Sequence, residues 1–181
     1  MAQSLDYFLP SVQTQDTRKR LAIYEEIADY LRDDSSNIAL DDVDKLVDGL
    51  ASWVTSSNYK VRDSAQELLL KLMVPASSPQ YIFEKIMPAF QHKLWRVREQ
   101  LCNCLVKMLS IHGSKGLLLS KFLPILIKLL EDQSIPVREA AVDAIVEIYK
   151  HAGERVRQDL ARKDVNPSKY DYPLEKRHCN I

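Results

Sequence analysis

One recurring pattern limits what this chain can fold into. Valine, arginine and an acid recur as Val61-Arg62-Asp63, Val97-Arg98-Glu99 and Val137-Arg138-Glu139, at intervals of 36 and 40 residues. Each copy follows a short polar loop and opens an apolar run with helical spacing. Gly113 and Gly153 close the two later helices, and Pro88 and Pro124 lie inside the predicted helices that precede them. Self-similarity at this period marks a helical repeat array, and about 40–47 residues per two-helix unit is the HEAT class. The expected fold is all-α, a HEAT-repeat α-solenoid of about four helix pairs. Residues 1–162 are expected to form one domain and 163–181 a flexible C-terminal tail.

Along the chain, Leu5–Leu9 is a short apolar segment stopped near Pro10. A helix over Thr17–Arg32 carries Leu21, Tyr24, Ile27, Ala28 and Leu31 on one face, with Asp16 or Thr17 as its N-cap. Asp33–Leu40 is a polar linker, and Asp41 or Asp42 caps the next helix, which bears Val43, Leu46, Val47, Leu50, Trp53 and Val54. Gly49 costs that helix about 1 kcal/mol, so it points to close helix packing. Val61, Ala65, Leu68, Leu69, Leu72 and Met73 form the following stripe. Pro75-Ala76-Ser77-Ser78-Pro79 breaks the chain, and Pro79 suits the first turn of a new helix with Tyr81, Ile82, Ile86, Met87 and Phe90 inward. The stripe resumes at Leu101, Cys104, Leu105, Met108 and Leu109. Leu117–Leu130 is apolar nearly all round, and Val137, Ala141, Ala144, Ile145, Ile148 and Tyr149 follow. Glu154–Arg162 is a short charged helix that caps the array.

Composition excludes several functions. Lys+Arg and Asp+Glu are both 25, so no net charge drives binding to nucleic acid. No apolar run approaches the roughly 18–20 residues of a membrane span, and no secretory signal is visible. Three cysteines at irregular spacing suggest a reduced cytosolic setting rather than a disulfide framework. Cys102 and Cys104 point about 200° apart on a helix and cannot share a metal. His92, His112 and His151 lie near helix ends, where capping is their expected role. Asp33-Asp34-Ser35-Ser36-Asn37 lacks the glycine and terminal glutamate of a calcium loop. No phosphate loop, HExxH motif or nucleophile elbow occurs, so the chain is expected to be no enzyme and to use no cofactor.

In a stacked array the loops within successive pairs line up along one edge. These loops end at Asp16–Arg18, Tyr59–Arg62, Trp95–Arg98 and Pro136–Arg138. All carry arginine, and two add an aromatic and a lysine. Such a ridge suits an acidic, folded protein surface. Arg62, Arg98 and Arg138 also fit an internal ladder, pairing with acids such as Asp63, Glu99, Asp132, Glu139 or Asp143. That structural reading is preferred for them. Trp95 and Arg96 have no obvious core neighbour and read equally as a contact site, whereas Trp53 belongs to a buried helix face.

Several stretches resemble the first TOG domain of the CLASP microtubule-associated proteins. They are Leu46-Val47-Asp48-Gly49-Leu50, Ser56-Ser57-Asn58-Tyr59-Lys60-Val61, Leu68-Leu69-Leu70-Lys71-Leu72-Met73, His92-Lys93-Leu94-Trp95-Arg96-Val97-Arg98-Glu99 and Val146 to Arg157. The likeness covers about residues 5–168. It implies a TOG-type HEAT paddle whose loops bind tubulin, in a protein that promotes microtubule rescue and restrains catastrophe. Carried over by position, the tubulin-binding residues are Asp16, Arg18, Lys19, Asn58, Tyr59, Lys60, Lys93, Trp95, Arg96, Arg98 and Arg138. The resemblance further implies a monomer in the cytoplasm, on microtubules and the spindle, with other cytoskeletal proteins as further partners. Two departures stand out. About one repeat, on the order of 40–50 residues, is missing near Val61 relative to the family, and Tyr170–Ile181 does not resemble the family's continuation. The alternatives are a general HEAT-repeat protein-binding scaffold, or a truncated isoform that has lost tubulin binding.

Overall fold

A computed structural model of the chain describes residues 5–32, 43–73 and 77–178. Apart from one isolated β-bridge between Met73 and Ser77, regular structure among the described residues is helical. The expected linker at Asp33–Leu40, the cap at Asp41 or Asp42 and the break at Pro75-Ala76 lie outside them. The chain divides into two compact units, Met1–Ala89 and Phe90–Ile181.

The first unit starts with a 3-10 turn, Leu5–Phe8, that runs into α1 (Leu9–Val12). Pro10 occupies the first turn of α1 and does not stop the segment, because the N–H it lacks has no partner there anyway. Next come α2 (Thr17–Arg32), α3 (Val43–Trp53), α4 (Tyr59–Leu72) and α5 (Pro79–Ile86). α2 keeps its expected bounds. Its buried face centres on Ile23, Ile27 and Ala28, leaving Leu21, Tyr24 and Leu31 half-buried. On α3, Leu46, Val47, Leu50 and Trp53 are fully buried, and the Trp53 indole N–H donates to the Val12 carbonyl at 3.0 Å. Gly49 faces α1 so closely that a Cβ there would fall 2.4 Å from Val12 Cγ1. The close packing expected from this glycine is therefore present.

α4 packs on α2 and α3, and its whole expected stripe, Val61 to Met73, is buried. Six such side chains contribute on the order of 10 kcal/mol of gross hydrophobic stabilisation. In α5 the Ser78 hydroxyl accepts from the Tyr81 N–H, and Pro79 sits in the first turn. Ile82, Phe83 and Ile86 are buried, whereas Tyr81 and Met87 are half-buried. α5 ends at Ile86, so Pro88 lies in a 3-10 turn, Met87–Gln91, instead of inside a helix. A helix-interior proline would lose a hydrogen bond and clash.

The second unit holds α6 (Trp95–His112), α7 (Leu123–Leu129), α8 (Ile135–Ala152), α9 (Arg155–Arg162) and α10 (Asp171–His178). α6 and α8 share the most extensive packing, and α7, α9 and α10 also pack on α8. The helix expected over Leu117–Leu130 begins only at Leu123, after a 3-10 turn at Leu119–Lys121, with Pro124 in its first turn. Gly113 and Gly153 end α6 and α8 at φ of +71° and +62°, the left-handed backbone that glycine adopts without penalty.

Where a flexible tail is expected from Lys163 onward, residues 167–178 carry helical structure. A 3-10 turn at Pro167–Lys169 leads into α10, Tyr170 and Leu174 are buried, and Lys169 forms an ion pair with Glu131. Two apolar side chains four apart are enough to seat one short helix on α8.

Candidate functional site

Four helices, each entered from a short polar loop, begin in the same way. α2, α4, α6 and α8 start at Thr17, Tyr59, Trp95 and Ile135, and the fourth residue of each is arginine. Each guanidinium turns back and donates to the carbonyl six residues earlier. Arg20 Nε reaches Thr14 at 2.8 Å, Arg62 Nη1 reaches Ser56 at 2.7 Å, Arg98 Nη1 reaches His92 at 2.6 Å and Arg138 Nη1 reaches Asp132 at 2.7 Å. Three of them also reach the next carbonyl, at Ser57, Lys93 and Gln133, while Arg20 takes Gln15 Oε1 at 3.0 Å. A charged donor shared between two loop carbonyls fixes the loop where it enters the helix.

Arg20 is the member of this set that the triplet search missed, because the valine before it is replaced by Lys19. The spacing from Asp16 to Arg20 matches that from Asn58 to Arg62, a capping side chain four residues before its arginine, and would have found it.

This geometry separates the expected contact residues into two groups. Asp16 and Asn58 are helix caps. Asp16 Oδ1 accepts from the Lys19 N–H at 2.9 Å, and that bond holds its carboxyl below the usual range. Asn58 Oδ1 accepts from the Lys60 and Val61 N–H groups. Arg98 and Arg138 are half-buried and spent on their loops. Arg98 makes an inter-loop link of the expected ladder, forking onto Asp132 at 2.7 and 2.8 Å. The Arg98 guanidinium lowers the Asp132 carboxyl, helped by the Ser134 N–H.

The other group faces outward. Arg18, Lys19, Tyr59, Lys60, Lys93 and Arg96 are exposed, with Tyr59 at 59%. Trp95 and Arg96, expected in the loop, form the first turn of α6. The Arg96 guanidinium lies 4.5 Å from the centroid of the half-buried Trp95 ring. Ile135 takes the same helix position as Trp95 and Tyr59 and is 58% exposed, an apolar contact candidate that the sequence reading passed over.

Within each unit two loops come together. In the first unit α2 packs on α4, and the Arg20 guanidinium lies 5.5 Å from the Trp53 ring just ahead of the second loop. In the second, Arg98 and Asp132 tie the loops before α6 and α8. Between these two is a cavity of about 640 Å³ over Phe90, Pro124, Ile125 and Leu129, with Lys93 and Lys128 at its wall. Among the described residues no group of three His, Cys, Asp or Glu could hold a metal ion. Burial pushes the Cys102 and Cys104 thiols up to about 12, far from a reactive thiolate.

Comparison with known proteins decides the family. The family model for the XMAP215/Dis1/CLASP TOG domain matches residues 18–170. The chain is 37% identical to CLIP-associating protein 1-B of Xenopus laevis, over 93% of this chain and 15% of that protein. The chain is a TOG domain of the CLASP family. The CLIP-associating protein of Drosophila melanogaster is 30% identical over 98% of this CLASP-family chain and 15% of its own length. The chain thus spans about 15% of the length of these relatives.

The two alignments run over 215 and 220 positions but draw on 93% and 98% of 181 residues, roughly 168 and 177. About 45 aligned positions therefore have no residue in this TOG domain, about the length of one repeat. A solved structure from work on TOG–tubulin binding specificity in microtubule dynamics and mitotic spindle formation superposes with a TM-score of 0.73. It does so at 17% identity, over 96% of this chain and 65% of that one. At that identity the likeness concerns the fold, which is the HEAT-repeat solenoid expected from the repeats.

Proposed function

We propose that this CLASP-family TOG domain binds tubulin through side chains displayed at the starts of α2, α4, α6 and α8. Its role is then to stabilise microtubules, favouring rescue and restraining catastrophe, on the cytoplasmic microtubule array and the spindle, without acting as an enzyme. One observation carries the reading. Each loop spends one arginine on its own shape and leaves its neighbours outside, as Tyr59 with Lys60 and as Trp95 with Arg96 and Lys93. A guanidinium stacked on an indole presents a flat cationic and apolar surface to a carboxylate-bearing protein. Arg20, Arg62, Arg98 and Arg138 serve this function indirectly, by holding the loops.

The test is co-elution of the chain with purified tubulin in size-exclusion chromatography. Trp95→Ala with Arg96→Ala is expected to weaken association on the order of tenfold or more. Unchanged co-elution of that double variant would sink the reading. The 45 or so absent aligned positions favour a second reading, a protein-binding scaffold whose tubulin contact is lost. Failure of the unaltered chain to retain tubulin at any concentration, with its helical fold intact, would select it.

A further inference from the structure

The second unit carries another cavity, at the helix ends that lie away from its stapled loops. It has a volume of about 780 Å³ and is walled by α9 on one side and the Ser114–Ser120 connection on the other. Leu117, Leu123, Ile148 and Val156 form a buried apolar floor. Leu118, which also lines it, is 55% exposed, an unusual place for a leucine in a site with so much polar lining.

The α9 wall is cationic. Arg155, Asp159 and Arg162 stand on one face of α9 at helical spacing, and His151 lines the same wall from the last turn of α8. The one carboxylate among the lining residues, Asp159, is already paired with Arg162 at 3.3 Å. His151 Nε2 faces the buried Glu147 at 3.8 Å. Arg155 is exposed and forms no ion pair with a carboxylate among the described residues. The wall therefore has positive charge in excess next to an exposed apolar shelf.

We propose that this groove docks an acidic, leucine-bearing linear protein segment. An apolar side chain of the segment rests on Leu118 and Leu119, and its carboxylates meet Arg155 and Arg162. The charge complementarity is what selects the occupant. A basic segment would meet Arg155 and Arg162 head on, and an acidic segment without apolar side chains would leave the leucine shelf wet. None of the tubulin-facing candidates lines the groove, so one chain would hold both ligands at once.

The experiment uses the full chain and a fluorescein-labelled peptide of about twelve residues built from Glu-Glu-Leu repeats, read by fluorescence polarisation. Peptides of Lys-Lys-Leu and Glu-Glu-Ser are run beside it. The Glu-Glu-Leu peptide should bind at least tenfold more tightly than either. Arg155→Glu with Arg162→Glu should weaken it at least tenfold, and Leu118→Ser several-fold. Leu118, Arg155 and Arg162 are exposed and the Arg162–Asp159 pair lies at the surface, so the thermal melts should fall by no more than a few degrees. Trp95→Ala with Arg96→Ala should leave peptide binding as it was. Backbone amide shifts on titration should cluster at 114–123 and 148–162. Equal binding of the three peptides, unaltered binding by the charge-reversed variant, or shifts confined to the loops before α6 and α8 would each overturn the proposal.

Discussion

The loop before α4 and the loop before α6 are built on the same Val-Arg-acid register, yet they are held in different ways. In the first unit Asn58 caps α4 with its own side chain, and Arg62, 3% exposed, closes the loop on the carbonyls of Ser56 and Ser57. In the second unit Leu94 has no side chain to cap α6. His92 Nδ1 accepts from the Leu94 N–H instead, and Arg98 reaches past its own loop to Asp132. Asp132 also accepts from the Ser134 N–H and lends its carbonyl to Arg138. Arg62 bonds the two carbonyls of its own loop, and Arg98 adds to the same bonds a fork onto the neighbouring loop. The register fixes where the arginine stands, while its partner depends on what the adjacent loop offers.

The largest expected effect separates these two designs. Arg98→Ala leaves Asp132, whose side chain is 9% exposed, facing two emptied carbonyls, and should cost about 3–4 kcal/mol in a urea melt. Arg62→Ala removes the charge-assisted bonds to the Ser56 and Ser57 carbonyls and should cost at least about 2 kcal/mol. A double-mutant cycle of Arg98→Ala with Asp132→Ala should show coupling of about 2 kcal/mol. If the Arg98–Asp132 cycle shows no coupling, the link between the second unit's two loops contributes nothing to its stability.

The glycines draw the same contrast at smaller scale. Gly49 is a packing residue, with Val12 where a Cβ would go, whereas Gly153 has open space around it and a left-handed φ. Gly49→Ala gains about 1 kcal/mol of helix propensity but forces α1 and α3 apart, for a net loss of about 1–2 kcal/mol. Gly153→Ala meets no clash, but φ of +62° with ψ of −148° is a region essentially confined to glycine, so it should lose about 1–3 kcal/mol through its backbone alone. Only the first should be relieved by Val12→Ala in the same chain. Relief of both, or of neither, would mean that contact at Gly49 is not what sets its cost.

Much of this was legible in the residues, for identifiable reasons. The stripe of α4 was read in full because six apolar positions share one helical period and no proline or glycine interrupts them. The ends of α5 and α7 were misread because apolar periodicity continues through Pro88 and Pro124, while the backbone cannot carry the helix across them. Arg20 went unread because Lys19 stands where the other three arginines follow a valine, while a capping side chain four residues upstream, Asp16 or Asn58, marks only the first unit's two loops. That the arginines close their loops through carbonyls was beyond reach, since backbone acceptors leave no trace in side-chain identity. α10 was read as tail because Tyr170 and Leu174 supply only two apolar contacts in a polar stretch.

The smallest effect distinguishes the two loop carboxylates by pH. Asp16 and Asp132 are both held below their ordinary value of 3.8, the first mainly by the Lys19 N–H and the second mainly by the Arg98 guanidinium. A carboxyl whose folded value is lowered stabilises the fold fully above its unfolded value, and loses that contribution as pH falls through the folded one. For Asp132 the loss should begin near pH 4 and continue below it. Asp132→Asn should then be less stable than the unaltered chain by a constant amount from pH 7 to 5, and the gap should narrow as pH drops further. Asparagine caps a helix as well as aspartate does, so Asp16→Asn should leave the melt nearly unchanged across the same range. Urea midpoints at pH 7, 5, 4 and 3 for the three proteins make the comparison. A gap for Asp132→Asn that stays constant down to pH 3 would show that the Arg98 fork gains nothing from the charge on its partner.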